Sequence, residues 1–130
     1  MFIDSSVFVA ILSDEEDGRH WLGRIETAPL KMTSSVVVLE TVMRLSSKLR
    51  ATPADVEIAL WQFFDQVGVT TTPIDEPEAR TAIQAFSEFG KGRGHPAQLN
   101  IADCLSYACA KNLKVPLLYK GDDFARTDMA

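Results

Sequence analysis

Short apolar or β-branched segments alternate with longer amphipathic segments along this chain. Alternation of this kind predicts strands followed by helices. The predicted strands lie at residues 1–3, 31–33, 69–73 and 115–119. Strands that alternate with helices in this way predict an α/β fold with a mainly parallel sheet. Because the chain shows no repeat, low-complexity tract or linker, we expect one domain over residues 1–130.

Capping residues predict where the helices begin. Ser13, with Glu16 three residues later, is expected to start a helix that continues through Trp21 and Ile25. Further helices are expected to start at Ser34 or Ser35, at Thr52 before Pro53, and at Asp75 with Glu78. The helix over 36–50 is expected to bury one face formed by Val38, Val42, Leu45 and Leu49. The helix that starts at Thr52 is expected to end at Gly68.

The last predicted helix, from Leu99 to Ala110, is mostly apolar but is predicted to carry Asp103 in its middle. A helical salt-bridge partner would stand three or four positions away, and no basic residue occupies those positions. A buried carboxylate is costly unless another group neutralises it. We therefore expect either a metal ion or an arginine from a distant segment beside Asp103.

Composition narrows the classes of function. The chain has 18 acidic and 13 basic residues and a net charge of −5, which argues against a general nucleic-acid coat. A nuclease that uses divalent cations remains compatible with this charge. The two cysteines, Cys104 and Cys109, are expected to be buried thiols, because one helix holds them too far apart to bridge. The sequence shows no leader and no apolar run of spanning length, so we expect a soluble cytoplasmic protein without a membrane segment.

Acidic residues follow the predicted strands at both ends of the sequence. Asp4 ends the first strand, Asp122 and Asp123 follow the last, Asp103 lies on the helix before it, and Glu40 follows the second. In an open parallel sheet, ligands bind beyond the carboxyl ends of the strands. Carboxylates gathered there suit Mg²⁺ or Mn²⁺, and two such ions can activate a water and stabilise the leaving oxygen of a phosphodiester.

Most of these acidic residues also have an ordinary structural explanation. Asp4 could cap the first helix, and Glu40 could form an ion pair with Arg44 four residues later. Asp122 and Asp123 follow a glycine in a turn, where aspartate is common. Only Asp103, the carboxylate in the apolar helix, has no local structural explanation.

Two groups of basic side chains could contact the phosphates of a substrate. The first group lies on one helical stripe, where an acidic residue and two basic residues stand four positions apart: Glu40, Arg44 and Lys48. The second group is the glycine-rich loop at residues 90–96, which carries Lys91, Arg93 and His95. A solvated helix face and an ordinary surface loop remain the alternative interpretations.

These segments resemble the PIN-domain family and, within it, the VapC-type toxins of bacterial toxin–antitoxin modules. MFIDSSVFVAIL resembles the opening strand of the family, with Asp4 as its first acidic residue, and SSVVVLETVMRL carries Glu40 at the position of the helical glutamate. The most specific match is LNIADCLSYACAKNLKVPLLYKGDDFARTDM, which places Asp103 as the third acidic residue. It also contains the turn Asp122-Asp123-Phe124. The resemblance covers nearly the whole chain, although residues 51–90 match only in helical pattern.

The resemblance implies a three-layer α/β/α sandwich and a Mg²⁺- or Mn²⁺-dependent endoribonuclease. Asp4 and Asp103 would be metal ligands, and Glu40 either a ligand or a base beside the metal. The fourth catalytic carboxylate would be Asp122 or Asp123; Asp122 is favoured because Asp123-Phe124 matches a structural pair. The implied hydrogen-bonding positions near the metal are Ser6 and Asn100.

The resemblance also implies an RNA substrate, a small cognate antitoxin, and either a homodimer or a toxin–antitoxin hetero-oligomer. Two alternatives stay open. One is a PIN-like binding module without turnover. The other is a receiver-type signalling domain, which would need an aspartate at the end of a middle strand, where residues 69–73 offer only threonines.

Overall fold

The computed structural model describes the whole chain, residues 1–130, as four short strands and six helices. In chain order these are β1 (Phe2–Ile3), α1 (Ser5–Leu12), α2 (Gly18–Glu26), β2 (Met32–Ser34), α3 (Ser35–Leu49), α4 (Pro53–Val67), β3 (Thr70–Thr72), α5 (Glu76–Phe89), α6 (Ile101–Leu113) and β4 (Leu117–Leu118). The predicted alternation of strands and helices is confirmed.

The four strands form one sheet in the order β3-β2-β1-β4, and every pairing is parallel. Phe2 in β1 stands opposite Met32 on one side and Leu117 on the other. Because all strands point the same way, their carboxyl ends share one edge of the sheet. The first and last strands are neighbours, so the two ends of the sequence meet at that edge.

Three of the predicted helix starts are confirmed by their caps. The side chain of Ser34 accepts a hydrogen bond from the Val37 amide at 3.2 Å. Thr52 caps α4 in the same way, and Asp75 with Glu78 forms a capping box on α5. Gly68 ends α4 at a φ of 80°, a conformation that glycine adopts at little cost.

The predicted start of the second helix at Ser13 is wrong. Ser13 instead follows the end of α1, where its hydroxyl donates to the Val9 carbonyl at 2.6 Å. α2 begins five residues later at Gly18, whose backbone lies close to α1. A Cβ at Gly18 would stand 3.0 Å from the Ala10 carbonyl oxygen, so this close approach favours glycine there.

The predicted apolar face of α3 is also partly wrong. The buried residues are Val37, Thr41 and Leu45, whereas Leu49 is exposed. Thr41 can be buried because its hydroxyl donates to the Val37 carbonyl at 2.7 Å. A hydrophobicity pattern cannot reveal a polar side chain that is satisfied within its own helix.

The core surrounds the central strand. Phe2, Ile3 and Phe8 are fully buried and belong to one large apolar cluster. α6 packs on β1, β2 and β4, and α5 packs along α6. Both cysteines are buried free thiols, as predicted. None of the helices is both long and apolar enough to span a bilayer.

Candidate active site

Asp4 stands directly after β1 and is only 5% exposed. Its carboxylate caps α1, because Oδ2 accepts hydrogen bonds from the Ser6 amide at 3.1 Å and the Ser6 hydroxyl at 2.7 Å. Its own amide donates to the Leu118 carbonyl in β4 at 3.0 Å. The capping role and a position at the sheet edge therefore occur together in one residue.

Ser6 connects Asp4 to the segment that follows β4. Its hydroxyl accepts a hydrogen bond from the Lys120 amide at 2.9 Å while donating its hydrogen to Asp4. A serine hydroxyl has one hydrogen to donate, so the Lys120 contact leaves that hydrogen for the carboxylate. Ser6 thus holds the ends of β1 and β4 together and orients the Asp4 side chain.

Ser5 joins α1 to the acidic and basic residues of α3. Its hydroxyl donates to Glu40 Oε1 and accepts from Arg44 Nη1 at 3.2 Å. Glu40 and Arg44 therefore meet through a shared serine that is 1% exposed. The sequence interpretation missed this role of Ser5. The available signal was the pair of serines, Ser5 and Ser6, directly after the strand-ending Asp4.

Asp103 does not lie in the middle of its helix, as predicted, but in the first turn. α6 begins at Ile101 and Asn100 is its N-cap. Asn100 Oδ1 accepts from the Asp103 amide at 2.9 Å, and Asp103 Oδ2 accepts from the Asn100 amide at 3.1 Å. This capping box is a local reason for an aspartate here, which the prediction missed by starting the helix at Leu99. It also gives Asn100 a structural role.

Burial and neighbouring carboxylates nevertheless leave the Asp103 charge poorly compensated. Asp103 is 6% exposed, and burial raises its pKa to about 7 despite the opposing hydrogen bond from the Asn100 amide. This value of about 7 includes the effect of the negative charges of Asp123, Asp4 and Glu40, which act in the same direction as burial. Burial likewise raises the pKa of Asp4, against the hydrogen bonds from Ser6 and the charge of Arg44. Four acidic groups from four parts of the chain therefore act on one small region.

In the turn after β4, Asp123 is the residue whose negative charge affects Asp103. The negative charge of Asp123 helps to raise the pKa of Asp103, whereas Asp122 makes no such contribution. Both residues are exposed. The assignment of Asp122 as the fourth catalytic carboxylate stays a prediction, with Asp123 as its alternative.

The acidic side chains of this region offer oxygen atoms to a divalent cation. Their donor chemistry is suitable, because Mg²⁺ and Mn²⁺ prefer carboxylate oxygens. The hydroxyl of Ser106, one turn after Asp103 on α6, is buried without a hydrogen-bond partner, so the polar groups of this helix are incompletely satisfied. However, no group of three or more His, Cys, Asp or Glu side chains is arranged to hold a metal ion. Binding would need side-chain movement, and metal coordination stays a prediction.

The basic stripe on α3 divides into two environments. Arg44 reaches the carboxylate region through Ser5, whereas Lys48 pairs with Glu15 at 3.5 Å and bonds the Ser13 hydroxyl at 2.9 Å. A groove of about 490 Å³ lies beside this stripe. Lys48 is therefore largely neutralised by its own chain, and Arg44 is the base of this stripe that lies at the candidate site.

This fold and site define a class of small α/β proteins with acidic side chains gathered at the carboxyl edge of a parallel sheet. The PIN domain family matches residues 1–129, and the chain belongs to that family. The chain is 39% identical to a protein of Mycolicibacterium smegmatis named ribonuclease VapC, over all of this chain and 98% of that protein. It is 37% identical to ribonuclease VapC28 of Mycobacterium tuberculosis, over 98% of this chain and 93% of that protein.

A solved structure supports the same fold. The crystal structure of Mycobacterium tuberculosis VapC20, described as a sarcin-ricin loop cleaving toxin, superposes with a TM-score of 0.72. The alignment covers 95% of this chain and 92% of that chain at 19% identity. At this identity the likeness shows the fold, which confirms the predicted α/β architecture.

Proposed function

We propose that this protein is an endoribonuclease that acts as the toxin of a toxin–antitoxin pair and uses Mg²⁺ or Mn²⁺. The observation that carries the proposal is the convergence of charge from Asp4, Glu40 and Asp123 on the buried Asp103. Such a cluster is unfavourable for an isolated protein and becomes favourable when cations neutralise it. The near-full-length likeness to proteins named VapC ribonucleases supports the same conclusion.

The proposed roles follow from the environment of each side chain. Asp4 and Asp103 would hold the divalent ion, which supplies charge stabilisation and water activation when bound. Glu40, oriented by the Ser5 hydroxyl, is suited to accept the proton of the attacking water. Arg44 is suited to bind the phosphate, because its guanidinium already lies beside the carboxylates. Attack of water on phosphorus then cleaves the phosphodiester as the RNA oxygen leaves.

The first experiment is cleavage of a total small-RNA pool by the purified protein in Mg²⁺, in Mn²⁺ and in EDTA. We expect discrete fragments that require the metal and are absent with Asp103→Asn protein. The amide oxygen of asparagine can still accept from the Asn100 amide, so the capping box and the fold should persist. Cleavage by Asp103→Asn at the wild-type rate would show that the site is wrongly assigned.

A matched pair of variants tests the fourth carboxylate. Asp123→Asn should slow cleavage at least tenfold, because Asp123 acts on Asp103, whereas Asp122→Asn should retain nearly the wild-type rate. Both residues are exposed in the same turn, so each variant controls for the other. The reverse order of effects would support Asp122 as the fourth acidic residue.

We further propose a small cognate antitoxin and a homodimer or toxin–antitoxin hetero-oligomer as the assembled forms. Leu39 and Met43, which flank Glu40 on α3, are exposed apolar side chains one turn apart. An apolar stripe beside the carboxylates suits a partner segment that covers the site. Addition of the antitoxin should abolish cleavage, and Met43→Glu should weaken that inhibition while leaving cleavage by the free toxin intact. Light scattering with and without the antitoxin would give the oligomeric states.

One observation favours a second candidate, a PIN-like binding module without turnover. No group of three or more His, Cys, Asp or Glu side chains is arranged to hold a metal ion, and turnover by the proposed mechanism requires one. Calorimetry with Mg²⁺ and Mn²⁺ distinguishes the two candidates. Metal binding without cleavage of any RNA in the pool would favour the binding module, whereas absence of both would contradict the metal-dependent mechanism.

A further inference from the structure

An open groove of about 510 Å³ runs between α5 and α6, within the size range of ligand sites. It adjoins the carboxylate site, because Asn100, the cap of α6, and Cys104, the neighbour of Asp103, are both in its wall. Its other walls are mainly apolar, with one cationic side chain. Its walls include Ile83, Phe86, Lys91, Asn100, Ile101 and Cys104.

The apolar walls of the groove are unusually exposed to water. Ile101 is 82% exposed, Ile83 66% and Phe86 47%. Exposed apolar side chains that line one groove indicate a binding surface. The Phe86 ring lies against Gly90, where a Cβ would stand only 2.4 Å from Phe86 Cδ1. The absence of a side chain at residue 90 therefore allows this ring position.

Unpaired positive charge borders the groove. Lys91 is in its wall, and the Arg93 guanidinium carbon lies 5.7 Å from the centre of the Phe86 ring. Neither side chain takes part in any ion pair of the chain, whereas Lys48, Lys111 and Lys120 all do. In a protein of net charge −5, two unpaired cations beside an exposed aromatic ring are suited to an anionic, aromatic ligand.

We propose that this groove is a nucleobase subsite for single-stranded RNA. One base next to the cleaved bond stacks on Phe86, and Lys91 and Arg93 bind the adjoining phosphates. Aromatic stacking combined with cationic side chains along the backbone is how proteins bind unpaired RNA strands. The contact of Arg93 with Phe86 already places a planar cationic group at this ring. The inference rests on the proposed ribonuclease function, because it takes RNA as the ligand.

The test measures binding of a short single-stranded RNA that carries one 2-aminopurine, in EDTA to prevent cleavage. Stacking should quench the 2-aminopurine fluorescence. Phe86→Ala should abolish the quenching and weaken binding roughly tenfold or more, as expected for loss of one base–aromatic stack. Phe86→Tyr should preserve both. Trp61→Ala, which removes another half-exposed aromatic on α4, is the matched control and should have no effect.

The salt dependence of binding tests the cationic border. Arg93→Gln and Lys91→Gln should each reduce the slope of log affinity against log salt by about 0.7, the value for one phosphate contact with a single strand. Lys114→Gln is the matched control, because Lys114 is also outside every ion pair but lies at the opposite end of α6. An unchanged slope for both groove variants would overturn the proposal.

The remaining outcomes separate this inference from the proposed function. If Phe86→Ala binds RNA and quenches like the wild type, the subsite is wrong. If the Phe86→Ala substitution also converts an oligomer to a monomer, as measured by light scattering, the groove is a protein interface instead. Cleavage with unchanged kcat/KM in Phe86→Ala would refute the subsite but not the nuclease. Phe86-dependent RNA binding without metal-dependent cleavage would refute the nuclease but not the subsite.

Discussion

Asp103 shows how burial and charge act together on one side chain. An aspartate in an unfolded chain has a pKa of about 3.9, whereas burial and the nearby carboxylates raise the pKa of Asp103 to about 7. The folded protein therefore holds this proton more strongly than the unfolded chain. Its contribution to stability is present below about pH 4 and is lost as the pH rises through about 7.

Replacement of Asp103 by asparagine should remove this pH dependence. At pH 8 in EDTA, we expect the Asp103→Asn variant to have a free energy of unfolding up to about 4 kcal/mol above that of the wild type, because the pKa of Asp103 is about 7 in the folded protein and about 3.9 in the unfolded chain. Near pH 4 the two proteins should be nearly equal. Urea denaturation at both pH values measures the difference, and Asp65→Asn on the exposed face of α4 is the control. An equal difference at both pH values would contradict this account.

Ser5 is a second residue whose contacts predict a measurable effect. Ser5→Ala removes the hydrogen-bond donor of Glu40 and the acceptor of Arg44. We expect a loss of about 1 kcal/mol in the free energy of unfolding and a cleavage rate at least tenfold lower. Ser35→Ala, which truncates an exposed serine at the start of α3, should change neither quantity. A wild-type cleavage rate in Ser5→Ala would show that Ser5 does not orient the site.

The residues of the site were predictable to different degrees. The sequence predicted that Asp4 and the turn after the last strand lie at the same edge of a parallel sheet, whereas the order of the strands came only from the structure. The choice between Asp122 and Asp123 was not predictable in this way, because adjacent side chains in a turn point in directions set by tertiary contacts. The contact between Ser5 and Glu40 joins residues 35 positions apart and leaves no pattern in sequence.

At the level of single elements, capping residues predicted the start of a helix correctly where the capping side chain lies at the beginning of the helix that follows it. Ser34, Thr52 and Asp75 meet this condition. Ser13 does not, because its hydroxyl bonds back to α1 and the close contact of Gly18 with α1 delays the next helix. Packing between helices therefore decided the boundary that local propensity predicted incorrectly.

Gly90 offers a test of how tightly the end of α5 is packed. A Cβ at this position would lie 2.4 Å from both the Phe86 carbonyl oxygen and Phe86 Cδ1. Gly90→Ala should therefore force Phe86 or the helix end to move, at a cost of about 1–3 kcal/mol in the free energy of unfolding. Gly23→Ala in α2 is the matched control, because no atom lies within 4 Å of its added Cβ. Urea denaturation should show slight stabilisation of the control, by up to about 1 kcal/mol. Equal stability of Gly90→Ala and the wild type would contradict the predicted clash.

For the molecule as a whole, the parallel topology explains how residues from both termini reach one site. β1 lies between β2 and β4, so Asp4 adjoins both the strand that leads to α3 and the strand that leads to Asp123. Alternating strands and helices predicted the parallel sheet and its shared carboxyl edge, because connections between parallel strands must return to the same edge, but they did not predict that β1 lies between β2 and β4. The capping box that orients the Asp103 side chain was not predicted, because its position depends on where α6 begins.

Cation binding should couple to both folding and proton release. Mg²⁺ or Mn²⁺ should stabilise the wild type by about 2.7 kcal/mol at a free concentration one hundred times the Kd. The gain should be larger at pH 8 than at pH 5, since at the lower pH a proton competes for Asp103, whose pKa is raised to about 7 by burial. Thermal unfolding at constant ionic strength measures this gain, with NaCl as the control salt. Asp103→Asn should show much less stabilisation. Equal stabilisation of both proteins would mean that the ion binds elsewhere, because a cation held by the carboxylates must depend on the charge that Asp103 supplies.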